Sequence, residues 1–127
     1  MIKIMLVDDE TSFTATLGER LLLRGYEVFM AQNGKQAVSM MIEKGPHVVL
    51  LDLSLPDIDG LEVMEKLKEI DSGVEVIVVS GHGMEHQTEV MKKGAFSYAT
   101  KPVKLTDLVE LIKSAFKYRA AKATEVV

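Results

Sequence analysis

The sequence predicts an α/β domain, (βα)5: a doubly wound parallel five-stranded sheet in the flavodoxin-like order 2-1-3-4-5. Three observations carry this expectation. Strand-like and helix-like apolar patterns alternate five times along 127 residues, with no repeat and no internal linker. Such alternation argues for a parallel sheet with helices on both faces. The first, third and fourth strand segments are almost wholly apolar, as strands buried on both faces should be. The second carries Glu27, and the fifth is short and carries Ser97, so these two belong at the edges, where the order 2-1-3-4-5 puts them.

Each element follows from its local pattern. Residues 2–7 (IKIMLV) read as the first strand, and residues 12–24 as a helix with Phe13, Leu17 and Leu21 at helical spacing, ended by Gly25. Residues 26–31 (YEVFMA) alternate enough for a strand exposed along one side. Asn33 is placed to cap a helix through Lys44, with Ala37, Val38 and Met41 inward, until Gly45 and Pro46 stop it. The run HVVLL follows as the third strand. A helix over 60–70 turns Leu61, Met64 and Leu67 inward, with Glu62 and Lys66 as an i,i+4 pair outside. Residues 74–79 (VEVIVV) form the fourth strand, about 84–93 a weaker helix, and 95–99 (AFSYA) the fifth strand. The last helix, 105–118, carries the stripe Leu105, Leu108, Ile112, Ala115 and Phe116. The expected organisation is one domain over 1–120, with 121–127 a C-terminal tail or the start of a linker.

Composition narrows the function classes. A chain of 127 residues buries roughly two-thirds of the surface its unfolded form exposes, enough for one core. With no cysteine there is no disulfide and no cysteine-ligated metal, which fits a reducing compartment; a cytoplasmic location is expected. MIKIMLV runs straight into DDE without a cleavage site, so it is no signal peptide. No apolar run approaches the ~20 residues of a membrane helix. The net charge of −4 argues against a nucleic-acid surface.

In a parallel sheet all strand C-termini share one rim, and ligands bind there. Asp8, Asp9 and Glu10 follow the first strand, Asp52 the third, Ser80 the fourth and Lys101 the fifth. Carboxylates, a hydroxyl and an ammonium thus converge from four places in the chain. Two unit charges about 4 Å apart interact by roughly 4 kcal/mol at an effective dielectric of about 20. Clustered carboxylates therefore call for a cation, and Mg²⁺ suits a hard-oxygen site that keeps waters and receives phosphate. Such a site is equipped for phosphoryl transfer, with Asp52 attacking phosphorus while the metal and Lys101 neutralise the equatorial oxygens. The histidines His47, His82 and His86 do not occupy a strand end beside a nucleophile.

Asp8-Asp9, Asp52 followed by LPDIDG, Ser80-Gly81, and Tyr98 followed by Lys101-Pro102 resemble the receiver domain of two-component response regulators. The likeness spans essentially the whole chain. It implies that Asp52 is the phosphoacceptor, Asp9 a direct Mg²⁺ ligand and Asp8 a carboxylate reaching the metal mainly through water. The backbone carbonyl of Ser54 is implied as a further ligand, and Ser80 and Lys101 as the pair that binds the phosphoryl oxygens. Tyr98 resembles the aromatic switch that turns inward as Ser80 is drawn to the phosphate. A cis Lys101–Pro102 bond is also implied. Ser54 and His82 occupy positions that tune phosphoryl lifetime in the family. A sensor histidine kinase or phosphotransfer protein is the implied donor. The face of helix four, strand five and helix five is the implied output surface, for an output domain, a partner protein or a second copy on phosphorylation. The domain would catalyse only its own phosphorylation and dephosphorylation, and would contact neither nucleic acid nor membrane.

Two other functions share parts of this pattern. An aspartyl-nucleophile phosphohydrolase resembles D-x-D at the nucleophile, whereas position 54 is Ser. A flavin-binding electron carrier of the same topology needs a hydroxyl-rich loop after the first strand, where this chain has DDE. Asp57 and Asp59 read as turn and N-cap residues rather than ligands, the eight methionines as core and interface filler, and Lys92 and Lys93 as solvated. GHG at 81–83 lacks the third glycine of a dinucleotide fingerprint.

Overall fold

Alternation with period two divides the core into two layers, one on each side of the sheet. The computed structural model describes residues 1–81 and 83–123. His82, assigned above to phosphoryl lifetime, and residues 124–127 of the expected tail lie outside the described residues. Strands β1 (Lys3–Val7), β2 (Glu27–Ala31), β3 (Val48–Leu51), β4 (Glu75–Ser80) and β5 (Ser97–Thr100) pair in parallel in the order β2-β1-β3-β4-β5, as expected. Helices α1 (Thr11–Leu23) and α5 (Leu105–Ala123) cover one face; α2 (Gly34–Lys44), α3 (Gly60–Ile70) and α4 (Gln87–Lys92) cover the other. Ile4, Leu6, Val48, Leu50, Ile77 and Val79 point to the first pair, against Leu17, Leu21, Leu108 and Ile112. Met5, Val7, Val49, Leu51, Val76 and Val78 point to the second group, against Ala37, Met41, Met64 and Leu67. Strands β1, β3 and β4 are buried almost throughout, while β2 and β5 are half-buried edges.

Local chemistry fixes the helix ends. Asn33 accepts the Gln36 N–H at 2.9 Å, and Gly45 closes α2 at φ +59, a left-handed turn that favours glycine. Asp59 caps α3 by accepting the Leu61 N–H at 2.8 Å. Four expectations need correction. The helix expected over 84–93 is only Gln87–Lys92; residues 83–86 form turns, and Val90 is the one helical residue buried there. Strand β5 begins at Ser97 rather than 95, because the Ala95 N–H closes the turn out of α4 on the Val90 carbonyl. Helix α5 runs past 118 to Ala123, its last turns tied down by ion pairs from Arg119 to Asp71 (3.2 Å) and from Lys122 to Glu75 (2.8 Å). Among the described ion pairs, Glu62–Lys66 is absent, and neighbouring Glu65 instead meets Lys93 at 2.9 Å across to the α4 end.

Glu75 is a buried carboxylate at the start of a core strand. One oxygen takes Lys122, and the other has no hydrogen-bond partner among the described residues. Nearby, His47, the residue before β3, sets its ring edge on Phe116, centroids 5.3 Å apart. Its Nδ1 accepts the Lys3 N–H at 3.0 Å, which fixes the neutral tautomer with the proton on Nε2. Burial, then the charges of Arg119, Lys3 and the N-terminus, hold this imidazole below the ordinary histidine range, with Asp71 opposing.

Protonating His47 breaks its bond to Lys3, so the unfolded chain binds that proton more readily. The contribution to stability is complete above the unfolded histidine value of about 6.5 and is lost as pH falls below it. Urea midpoints should therefore drop between about pH 7.5 and 5.5. In His47→Asn, whose amide oxygen can replace Nδ1 without titrating, the drop should be smaller. Equal drops in the two proteins would assign the pH dependence to other groups.

Candidate functional site

The C-terminal ends of β1, β3, β4 and β5 deliver their polar residues to one rim. β1, β3 and β4 are apolar through the residues leading to that rim, so in each the next polar side chain emerges where helix cover ends. Asp8 and Asp52 are 4% and 6% exposed, held by backbone bonds from Asp8 N–H to Ala31 O (3.0 Å) and from Asp52 N–H to Val7 O (2.9 Å). Ser80, wholly buried, ends β4, and its carbonyl accepts the Lys101 N–H at 2.8 Å. The Lys101–Pro102 peptide is cis.

Lys101 joins the group. Its Nζ lies 2.7 Å from Asp8 Oδ2, 3.1 Å from Glu10 Oε1 and 3.1 Å from Asp52 Oδ2, and 4.5 Å from the Phe13 ring centroid. Burial alone would lower the ammonium, but its hydrogen bonds to Asp8, Glu10 and Asp52 raise it above the ordinary lysine range. Burial raises the Asp8 carboxyl, the Asp52 charge adds to this, and Lys101 and the Glu10 N–H oppose. Pairing between the two favours the charged form of each. Oxygens of Asp8, Glu10 and Asp52 lie within 4.8 Å of one another, a hard-oxygen donor set that fits a divalent cation of the Mg²⁺ or Ca²⁺ kind.

The sequence-derived candidates are distributed as follows. Asp8, Asp52, Ser80 and Lys101 gather at the rim. Asp9 is exposed, and its carboxylate is not part of the three-acid group; Glu10, from the same DDE run, is. Ser54 is exposed on the segment after β3, its N–H donating to Asp52 Oδ1 at 2.9 Å. Tyr98 is half-buried on β5 with its hydroxyl donating to the Gly83 carbonyl at 2.6 Å, away from the acids. The sequence places Glu10 at the rim with Asp8 and Asp9 but gives it no role, and reads Phe13 only as part of the apolar stripe of α1. Asp59 is an N-cap as expected. Asp57 does more than turn the chain: Oδ1 accepts the N–H groups of Gly34 (2.7 Å) and Ile58 (2.8 Å), and Oδ2 that of Lys35 (3.0 Å). Gly60 has a steric reason: a Cβ there would stand 2.5 Å from Leu53 Cα, so only glycine lets α3 start against the backbone beside Asp52.

Comparison with known proteins gives a consistent result. The family described as the response regulator receiver domain matches residues 4–113. Sporulation initiation phosphotransferase F of Bacillus subtilis is 32% identical over 112 residues, covering 87% of this chain and 90% of that protein. Transcriptional regulatory protein PrrA of Mycobacterium tuberculosis is 32% identical over 123 residues. This chain spans only 53% of PrrA, and 26% of the regulatory protein AtoC of Escherichia coli, at 29% identity. A CheY-like response regulator receiver domain protein from Methanospirillum hungatei superimposes with a TM-score of 0.90 at 28% identity, covering 96% of this chain and 98% of that one. Neither a phosphohydrolase nor a flavin carrier is among these relatives. No helix among the described residues is long and apolar enough to cross a membrane.

Lys101→Met should leave three neighbouring carboxylates without their ammonium. Breaking a buried charge network typically costs about 3 kcal/mol or more, so the melting temperature in EDTA should fall by roughly ten degrees. Millimolar Mg²⁺ should recover a larger share of stability in the variant than it adds to the wild type. Equal losses with and without Mg²⁺ would mean that metal and ammonium do not serve the same carboxylates.

Proposed function

We propose, because the chain belongs to the family of response regulator receiver domains, that Asp52 accepts a phosphoryl group and that the domain is thereby switched. The observation that carries this reading is a nearly buried carboxylate at a strand end, flanked by Asp8 and held by Lys101 at 3.1 Å. The donor is a phosphohistidine on a sensor histidine kinase or phosphotransfer protein. An Asp52 oxygen attacks phosphorus, the P–N bond breaks, and its electron pair stays on the imidazole nitrogen. The domain catalyses its own phosphorylation and dephosphorylation and turns over no metabolite.

Mg²⁺ is the proposed cofactor, with Asp8, Asp9, Asp52 and the Ser54 carbonyl as its ligands and Glu10 as a further carboxylate within the group. When bound, it supplies positive charge to the phosphoryl oxygens. Lys101 and the Ser80 hydroxyl bind those oxygens, which requires the ammonium to give up part of its present contact with Asp8 and Glu10. Ser80 moving toward the phosphoryl group frees space into which Tyr98 turns, leaving the Gly83 carbonyl. Tyr98 sits on β5, which follows α4 and precedes α5 in the chain, and packs on the α4 side of the sheet, so the α4–β5–α5 face is the proposed output surface. Its occupant is an output domain, a partner protein or a second copy.

Two measurements test these steps. Incubation with acetyl phosphate and Mg²⁺ should add one phosphoryl group by intact mass, and Asp52→Asn should abolish it. Equal labelling of that variant would move the nucleophile to another residue. With beryllofluoride and Mg²⁺, amide exchange should change across Ser80 to Leu105, including protection at Tyr98, while α2 stays constant. No change over that span would defeat the switch while leaving the phosphoacceptor untouched.

A further inference from the structure

The segment between Asp52 and α3 is fastened at three points. At its start, Ser54 N–H is bound to Asp52 Oδ1, and Gly60 lies under the Leu53 backbone. At its end, Asp59 caps α3. In the middle, the Asp57 carboxylate leaves its own neighbourhood and closes the first turn of α2, 23 residues earlier in the chain.

Helix α2 has a local cap in Asn33, which serves only the Gln36 N–H, and no acidic residue in its first turn. The Gly34 and Lys35 amides, and the positive end of the helix dipole, are left to Asp57. Burial pushes the Asp57 carboxyl up, but those bonds, with that of Ile58, together outweigh it and hold the group below the ordinary carboxylate range. Three donors occupy most of the acceptor sites of its two oxygens, and it is not part of the three-acid group at the rim. Gly34 also packs on Ile58 and Val63 so closely that a Cβ would stand 2.9 Å from Ile58 Cβ and 2.8 Å from a Val63 methyl. The start of α2 follows β2, whose last residue, Ala31, accepts the Asp8 N–H. The clamp therefore connects the element behind Asp8 with the segment that carries Ser54.

We infer that Asp57 is a positioning residue for the metal site: it fastens the β3–α3 segment to the first turn of α2 and so holds the backbone around Ser54 ready for Mg²⁺. This rests on the proposed Mg²⁺-dependent phosphorylation of Asp52. Loss of an outer partner of a metal ligand commonly weakens metal binding by about 10–100-fold, and Asp57 acts through backbone one step further out. Asp57→Ala should therefore raise the Mg²⁺ dissociation constant, measured by calorimetry, by about threefold to tenfold. In metal-free buffer it should also speed amide exchange from Leu53 to Ile58. Labelling by acetyl phosphate should slow at low Mg²⁺ and return close to the wild-type rate when Mg²⁺ saturates, because no reacting group has been removed.

Asp57→Asn keeps an acceptor for Gly34 and Ile58 but not for Lys35, so it should fall between wild type and alanine. It carries the same comparison if the alanine variant does not fold, and a wild-type dissociation constant in it would then overturn the proposal. An alanine variant that melts lower but binds Mg²⁺ as tightly as wild type would reduce Asp57 to a helix cap and also overturn it. A wild-type protein that takes neither Mg²⁺ nor phosphoryl would overturn the functional reading and this inference together. Normal wild-type labelling with an unchanged variant overturns the clamp alone.

Discussion

Lys101 crosses the rim from the far edge strand to reach carboxylates carried by β1 and β3, and the architecture of the site depends on that one ammonium. Three carboxylates against one ammonium leave two formal negative charges, with Asp8 and Asp52 nearly buried and Glu10 open to solvent. At separations of about 4 Å, each uncompensated pair repels by roughly 4 kcal/mol at an effective dielectric of about 20. Asp8 and Asp52 can remain side by side only because Lys101 lies between their oxygens. The residual charge is what a divalent cation would cancel, and a doubly charged phosphoryl group could then enter without meeting a wall of like charge.

The fold makes this arrangement repeatable by separating two tasks. The strand interiors are apolar on both faces and set the spacing of the rim to within one register step: Val7 stands beside Ala31 and Leu51, and Ser80 beside Thr100. The residue after each strand then inherits its position from packing that it does not itself provide. Helices α1 and α5 beneath one face, and α2 and α3 beneath the other, bury that packing and leave the rim open.

Much of this was legible in the sequence because it is encoded locally. The purity of the apolar runs ordered the strands, and the spacing of Leu61, Met64 and Leu67 placed α3 at its observed ends. Asn33 announced its helix. What could not be read depends on contacts between distant segments. That Glu10 rather than Asp9 turns toward Lys101 is decided by the turn into α1, and both residues look alike in a run of acids. Asp57 carries the signature of a local turn, yet two of its three donors belong to another helix. The short α4 and the late start of β5 reflect an element anchored by Val90 alone, where turn residues compete well with a helix. Glu75 broke the apolar pattern of β4 without saying why, since its partner lies at the other end of the chain.

That partner decides where this domain can be cut or joined. Apolar periodicity suggests that α5 is finished by residue 118, and a trimming or grafting scheme based on it would discard the following turn. The turn carries Lys122, which alone among the described residues bonds the Glu75 side chain at the foot of the central sheet. A shorter version would keep the visible core intact and strand a carboxylate inside it. Anyone fusing this domain to a reporter or a different effector should treat Ala123, not the last apolar residue, as the earliest junction.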